Sequence, residues 1–195
     1  MHHLAIKAAA AAILVGAGTG AMSGSDKPDI PRDVLNPMVG GQAMLTDANI
    51  YDNASKSPEH TRLVAAIKVS GLETLLKDKG PYTIFAPTDA AFAALPAGDK
   101  AALSDPAKKR EAARDVRYLI VPGQFDSQSL LKLINEKGGE AKLKTIEGGT
   151  ITAMLNGPTN IVLMDERGHV ADISVYDVYQ SNGVMQVVDR ALLPR

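Results

Sequence analysis

The sequence predicts an α+β domain, and three observations carry that reading. Apolar residues in the earlier part of the chain recur at helical spacing, as at Leu63, Val64 and Ile67. From about Lys142 the period changes from helical to alternating. Gly, Asn and Pro punctuate that later part at short intervals, as short antiparallel strands require. Helices first and a run of strands afterwards is the order of an α+β fold.

Ser57-Pro58 reads as a helix start, a capping hydroxyl followed by Pro where no free N–H is needed. Leu72, Leu75 and Leu76 continue the apolar packing until Gly80-Pro81 ends it. Tyr82 to Ala86 reads as a strand, stopped by Pro87. Thr88 then caps a helix carrying Phe92 and Leu95, and Asp89 in its first turn suits the helix dipole. Asp105-Pro106 opens another helix, reaching about Arg117. Tyr118 to Val121 is a short strand ended by Pro122-Gly123, and Ser127 caps a helix with Leu130, Leu131 and Ile134, closed by Gly138-Gly139.

Beyond it, Lys142–Glu147 and Thr150–Leu155 flank Gly148-Gly149, read as a two-residue hairpin turn. Asn156-Gly157-Pro158 turns into a strand at Ile161–Met164. The segment 165–168 turns again, into a strand from His169 to Val175.

Two motifs at opposite ends of this pattern resemble those of a known family. Tyr82-Thr83-Ile84-Phe85-Ala86-Pro87-Thr88-Asp89-Ala90-Ala91-Phe92 is a strand ending in Phe-Ala-Pro-Thr, followed by a short helix. About a hundred residues later, Asn182-Gly183-Val184-Met185-Gln186-Val187-Val188 is an Asn-Gly turn feeding an apolar strand, and Leu192-Leu193-Pro194 closes the chain. In that order and spacing they resemble the opening and closing motifs of the fasciclin (FAS1) family. Between them Tyr118-Leu119-Ile120-Val121-Pro122-Gly123 resembles a third motif, of the type Tyr-His-hydrophobic-hydrophobic-Pro-Gly. Tyr118, Pro122 and Gly123 agree, but Leu119 stands where the family has His, and Gln186 replaces the His often found in the closing motif. Gln186 still donates and accepts hydrogen bonds but does not titrate, so no pH or metal role carries over from those histidines. The resemblance covers about residues 47–195. It implies a β-sandwich wedge of short, mainly antiparallel strands with helices around it, and an extracellular binding module without catalytic machinery.

Composition agrees with one soluble domain and an export route. The chain is 45% hydrophobic and 22% charged with a net charge of −1, which argues against a broad nucleic-acid surface. Three Phe, five Tyr and no Trp leave little for base stacking. The absence of Cys excludes disulfides, thiol nucleophiles and cysteine metal sites. Lys7 and the apolar run from Ala8 to Ala17 precede a small-x-small site at Thr19-Gly20-Ala21, so residues 1–21 read as a signal peptide. The run is shorter than the about 20 residues of a spanning helix, and no stable span is expected once it is cleaved. Residues 22–46, with Pro28, Pro31, Pro37, Gly40 and Gly41, read as a flexible leader, and 47–195 as the domain. An exported chain without Cys points to a bacterial periplasmic or secreted protein.

The mature chain keeps only His60 and His169, without metal-ligand spacing, and no cofactor is expected. No Gly-x-Ser-x-Gly elbow is present. The resemblance therefore implies adhesion to a cell-surface or matrix protein or polysaccharide. Some animal relatives engage partners through an Asp-Ile pair before the closing Asn-Gly, and here Asp177 and Val178 occupy those positions. The candidate contact residues are Asp177, Val178 and Asn182, with Phe85, Thr88 and Asp89 second. The motif residues Tyr118, Pro122, Gly123, Gly183 and Gln186 are expected to be mainly structural. Lys108-Lys109-Arg110 with Arg114 and Arg117 form a basic stretch suited to polyanionic polysaccharide or lipid headgroups, though such a stretch is more often a solvated face, here interrupted by Glu111 and Asp115. An alternative reading is a carrier of an apolar small molecule such as a carotenoid, with Met154, Met164 and Met185 lining a groove.

Overall fold

The computed structural model describes residues 36–78 and 80–195. The signal peptide and most of the leader expected from the sequence lie outside the described residues.

Helices dominate the first part of the domain. They are α1 (Ile50–Lys56), α2 (Thr61–Ser70), α3 (Glu73–Lys77), α4 (Asp89–Ala93), α5 (Ala97–Ser104), α6 (Lys109–Tyr118) and α7 (Ser127–Glu136), with a 3-10 turn at Pro106–Lys108. A two-stranded ribbon, β1 (Met38–Val39) and β2 (Gln42–Ala43), precedes them. The other strands are β3 (Tyr82–Pro87), β4 (Ile120–Pro122), β5 (Glu140–Lys144), β6 (Thr150–Leu155), β7 (Ile161–Met164), β8 (Val170–Gln180) and β9 (Gly183–Val188). They form one seven-stranded sheet in the order β4-β3-β9-β8-β7-β6-β5. All its pairings are antiparallel except β3 with β9.

The sheet curls almost into a barrel. Its edges approach where Ile146 N donates to Ile120 O at 2.9 Å. The parallel pair is the hinge of the sequence pattern, because it joins the two motifs, with Tyr82 opposite Gly183 and Pro87 opposite Val188. Every residue of β9 is buried, as a strand covered on both faces must be. In β5 burial alternates, placing Ala141 and Leu143 inside and three charged residues outside. Ile84, Phe85, Ile120, Leu130, Ile134, Ile151 and Ile161 fill the interior. Each such side chain stabilises the fold by roughly 1.5–3 kcal/mol through burial.

Several local expectations are corrected. Ser57 ends α1 rather than starting a helix; Pro58 then forces a turn, and α2 begins only at Thr61. Asp126, not Ser127, caps α7, accepting from Ser129 N at 2.8 Å, and Ser127 is already helical. Tyr118 belongs to α6, not to the strand after it. Pro87 does not end the pairing. Tyr82 N and Thr88 N donate to β9-side carbonyls while Phe85 N donates to Leu119 O on the other side. By alternation Pro87 faces the side where β4 has already ended, so its missing N–H costs nothing. The β5–β6 loop spans residues 145–149 rather than two glycines, because Lys144 pairs with Thr150 and Thr145 N bonds Gly149 O at 3.0 Å. Residues 36–46 are not a loose leader: Val39 and Met44 are buried, and Asn36 Nδ2 and Oδ1 both bond the Tyr179 backbone.

Candidate functional site

Of the residues that the sequence nominates, Asp177 and Gln186 meet across the β8–β9 pair. The register of β8 slips between Val175 and Val178, a bulge that inserts extra chain. Asp177 sits in it at φ 58°, a left-handed conformation that Asp tolerates better than most side chains. This turns its carboxylate towards the start of α7. Asp177 Oδ1 accepts from Ser127 N at 2.7 Å and from Gln186 Nε2 at 2.8 Å, and Oδ2 accepts from the Ser127 hydroxyl. Asp177 N in turn donates to Gln186 Oε1 at 3.0 Å, and Gln186 Nε2 also reaches Phe125 O at 3.1 Å. Gln186 is wholly buried, and both ends of its amide are paired. Beside it the Tyr179 hydroxyl donates to Asp126 Oδ2 at 3.1 Å. Burial, with the Asp126 and Asp177 charges, pushes the Tyr179 phenol up from its usual range.

Most of the other nominated side chains are taken up by contacts within the fold. Val178 and Phe85 are fully buried in the core. Asn182 Oδ1 accepts from Ile50 N at 2.9 Å, and its Nδ2 donates to the Leu76 and Asp78 carbonyls at 2.8 Å each. It thereby binds the start of α1 and the end of α3 to the β8–β9 turn. Gly183 follows because a Cβ there would lie 1.9 Å from the Tyr82 carbonyl oxygen. Thr88 Oγ1 caps α4 through Ala91 N at 3.2 Å. Asp89 accepts from Thr61 Oγ1 at 2.5 Å and Arg62 N at 2.8 Å, so it caps α2 as well. The Tyr118 hydroxyl donates to Thr150 O at 2.7 Å and accepts from Glu166 N at 3.1 Å. Gly123 packs under the Phe125 ring, and Pro122 is exposed at the sheet edge.

Two features were not nominated by sequence. Asp165 is a buried hub whose carboxylate accepts from Arg167 N, His169 N and Leu193 N, and its Oδ2 lies 3.1 Å from His169 Nδ1. Its position in a turn suggested only a turn residue. His60 is the second, with its Nδ1 2.8 Å from Ser57 Oγ. A hydroxyl on an imidazole is how a nucleophilic site begins, but both residues are buried, and Nε2 has no partner of ordinary geometry. Burial lowers the His60 pKa, against smaller opposite effects of the Ala86 carbonyl, Asp89 and Glu59. Among the described residues no group of three His, Asp or Glu could hold a metal ion.

The outside carries open grooves. One of about 430 Å³ crosses the outer face of β5–β7, lined by Lys142, Thr152, Met164, Arg167 and Arg195. Another, of about 660 Å³, runs along α6. The three methionines do not come together. Met185 is in the core with β9, whereas Met154 and Met164 lie on the outer face of β6 and β7, half-buried. A pocket lined mainly by apolar residues, Leu95, Pro96 and three alanines with His169 and Arg190, holds only about 120 Å³. Pockets for small molecules usually exceed about 300 Å³.

This curled sheet, with the parallel motif strands second and third in its order, has a counterpart among solved structures. It superposes on a FAS1 domain pair from the insect cell adhesion molecule Fasciclin I with a TM-score of 0.67, covering 75% of this chain and 51% of the other at 16% identity. The description of the fasciclin domain matches residues 58–194. The chain is also 31% identical over 147 residues to protein sll1483 of Synechocystis sp., covering 74% of this chain and 73% of the relative. It is 30% identical over 153 residues to transforming growth factor-beta-induced protein ig-h3 of Sus scrofa, covering 77% of this chain and 20% of that larger protein. The chain belongs to the fasciclin domain family. Among the described residues no helix is long and apolar enough to cross a membrane.

Proposed function

We propose that this chain is an exported, non-enzymatic binding module of the adhesion type. It holds a cell-surface or matrix component against the outer surface of its domain. The observation that carries this reading is where the polar chemistry lies. Ser57 with His60 and Asp177 with Ser127 are buried or saturated by internal bonds, and the exposed His169 is held against Asp165, while the outer surface offers broad, open grooves. Membership of the fasciclin family supports it, as does the fold shared with a protein described as a cell adhesion molecule. The apolar N-terminal run supplies the export route, to the periplasm or beyond.

In this reading Asp177 acts from behind the surface. It holds the chain at Phe125–Ser127 in place, and with it the exposed rim at Gln128 and Ser129. Affinity of a single domain is modest and rises with surface density. The test is attachment of beads carrying the purified chain to the surface of its own host cells. Density-dependent attachment is expected. Beads that attach no better than albumin-coated ones would overturn the proposal.

A further inference from the structure

We infer that the groove along α6 is a binding site for an anionic polysaccharide, which rests on the adhesion reading and names its partner class. The groove measures about 660 Å³ and is lined by Lys108, Lys109, Arg110 and Arg117, with Glu111 as its single acid. Arg110, Arg114 and Arg117 fall at i, i+4 and i+7, so they stand in one row on the helix. From Arg110 to Arg117 the row extends roughly 10 Å at the helical rise.

The row is largely unspent. Lys108 is 3.8 Å from Glu111, and Arg114 Nε is 3.5 Å from the buried carboxylate of Asp115. Among the described residues Lys109, Arg110 and Arg117 have no ion-pair partner within 4.0 Å, and all three are exposed. Arg110 also lines a second groove, of about 410 Å³, where Arg114 and Arg167 are offset by Asp99, Glu111 and Asp115. The excess of cations is therefore concentrated in the groove along α6, in a chain whose net charge is −1. Such a row attracts a polymer with regularly spaced anions, and counterion release makes the attachment salt-dependent.

The lining selects among polyanions. Among the described residues no aromatic side chain borders the groove to stack on bases. Among the described residues the apolar lining is Ala107 and Ala113, and the exposed large apolar residues Met38, Leu45 and Val170 lie on other elements, so the groove offers no apolar wedge for a bilayer. A concave, cationic, apolar-poor track fits a hydrated chain of acidic sugars.

The experiment is a binding titration of the full chain with heparin as the probe, from low to moderate salt. A Lys109→Gln, Arg110→Gln, Arg117→Gln variant keeps Arg114, so Asp115 keeps its partner. A control variant removes equal charge elsewhere, through Lys56→Gln, Lys132→Gln and Lys144→Gln. Circular dichroism confirms that both fold. The wild type should bind with a steep salt dependence, and the groove variant at least about fivefold more weakly with a shallower slope. The control should match the wild type. Equal loss in both variants, no binding, or preference for anionic vesicles or single-stranded DNA over heparin each overturns the inference. If the groove variant binds heparin poorly yet bead attachment is unchanged, the adhesion reading stands and its proposed partner class fails. If heparin binding is as expected but beads never attach, the adhesion reading fails instead.

Discussion

Asp177 and Gln186 face each other across the β8–β9 pair and exchange two hydrogen bonds. Asp177 N donates to Gln186 Oε1 at 3.0 Å, and Gln186 Nε2 donates to Asp177 Oδ1 at 2.8 Å. One residue stands at a left-handed bulge and the other is wholly buried, so each supplies what the other lacks. The pair locks a long strand to the beginning of a helix.

Asp177→Ala should therefore destabilise the domain. It leaves Ser127 N without its acceptor, removes one of the two acceptors of Gln186 Nε2 and puts Ala where φ is positive. The cost should be about 2–4 kcal/mol. For a domain of this size the melting temperature should drop by roughly 5–12 °C. Asp177→Asn tolerates the left-handed backbone and keeps an acceptor, so its drop should be smaller. Calorimetry on both variants decides. Lost attachment at an unchanged melting temperature would instead make Asp177 a contact residue.

Gly183→Ala should be worse than either. The new Cβ meets the Tyr82 carbonyl at 1.9 Å, and neither backbone can yield without breaking the parallel β3–β9 pair. A cost above about 4 kcal/mol is expected, seen as loss of soluble, cooperatively folding protein.

His60 sets a pH dependence. Burial lowers its folded pKa below the ordinary value near 6.5, so the unfolded chain binds the proton more readily. Its contribution is fully present above about pH 6.5 and is lost as pH falls from there to the folded pKa. Urea denaturation at pH 7.5 and pH 5.5 should show lower stability at the acidic value. His60→Gln should flatten that difference. An unchanged difference in the variant would place the effect elsewhere.

A protein purified from its own host should be colourless, because the mainly apolar pocket is too small for a long ligand and the methionines are split between core and outer face. A structured visible band travelling with the protein would revive the carrier reading.

Much of the fold was legible because its two diagnostic motifs are strands that pair with each other. Their residues are constrained by buried parallel pairing, and such constraint leaves a recognisable run of letters. The helix ends were less legible. Ser57-Pro58 has the letters of a helix start, but α1 had already formed upstream from Ile50–Lys56, where few periodic apolar residues announce it. The candidate site was legible in its residues and not in their direction. Nothing in the letters Asp177-Val178 says that a bulge turns the carboxylate inward to Ser127, fifty residues away in sequence. Asp165 was invisible for the same reason, since the amides it gathers come from a turn and from the chain end at Leu193. The basic run on α6 could be read directly, but its concavity could not.

The central claim is that the chain acts by holding one surface to another. The most direct measurement is attachment of host cells that lack the protein, compared with the same cells carrying it again, under gentle flow. The account predicts fewer attached deletion cells, with attachment restored by the wild-type chain. Equal attachment of deletion and restored cells would contradict it.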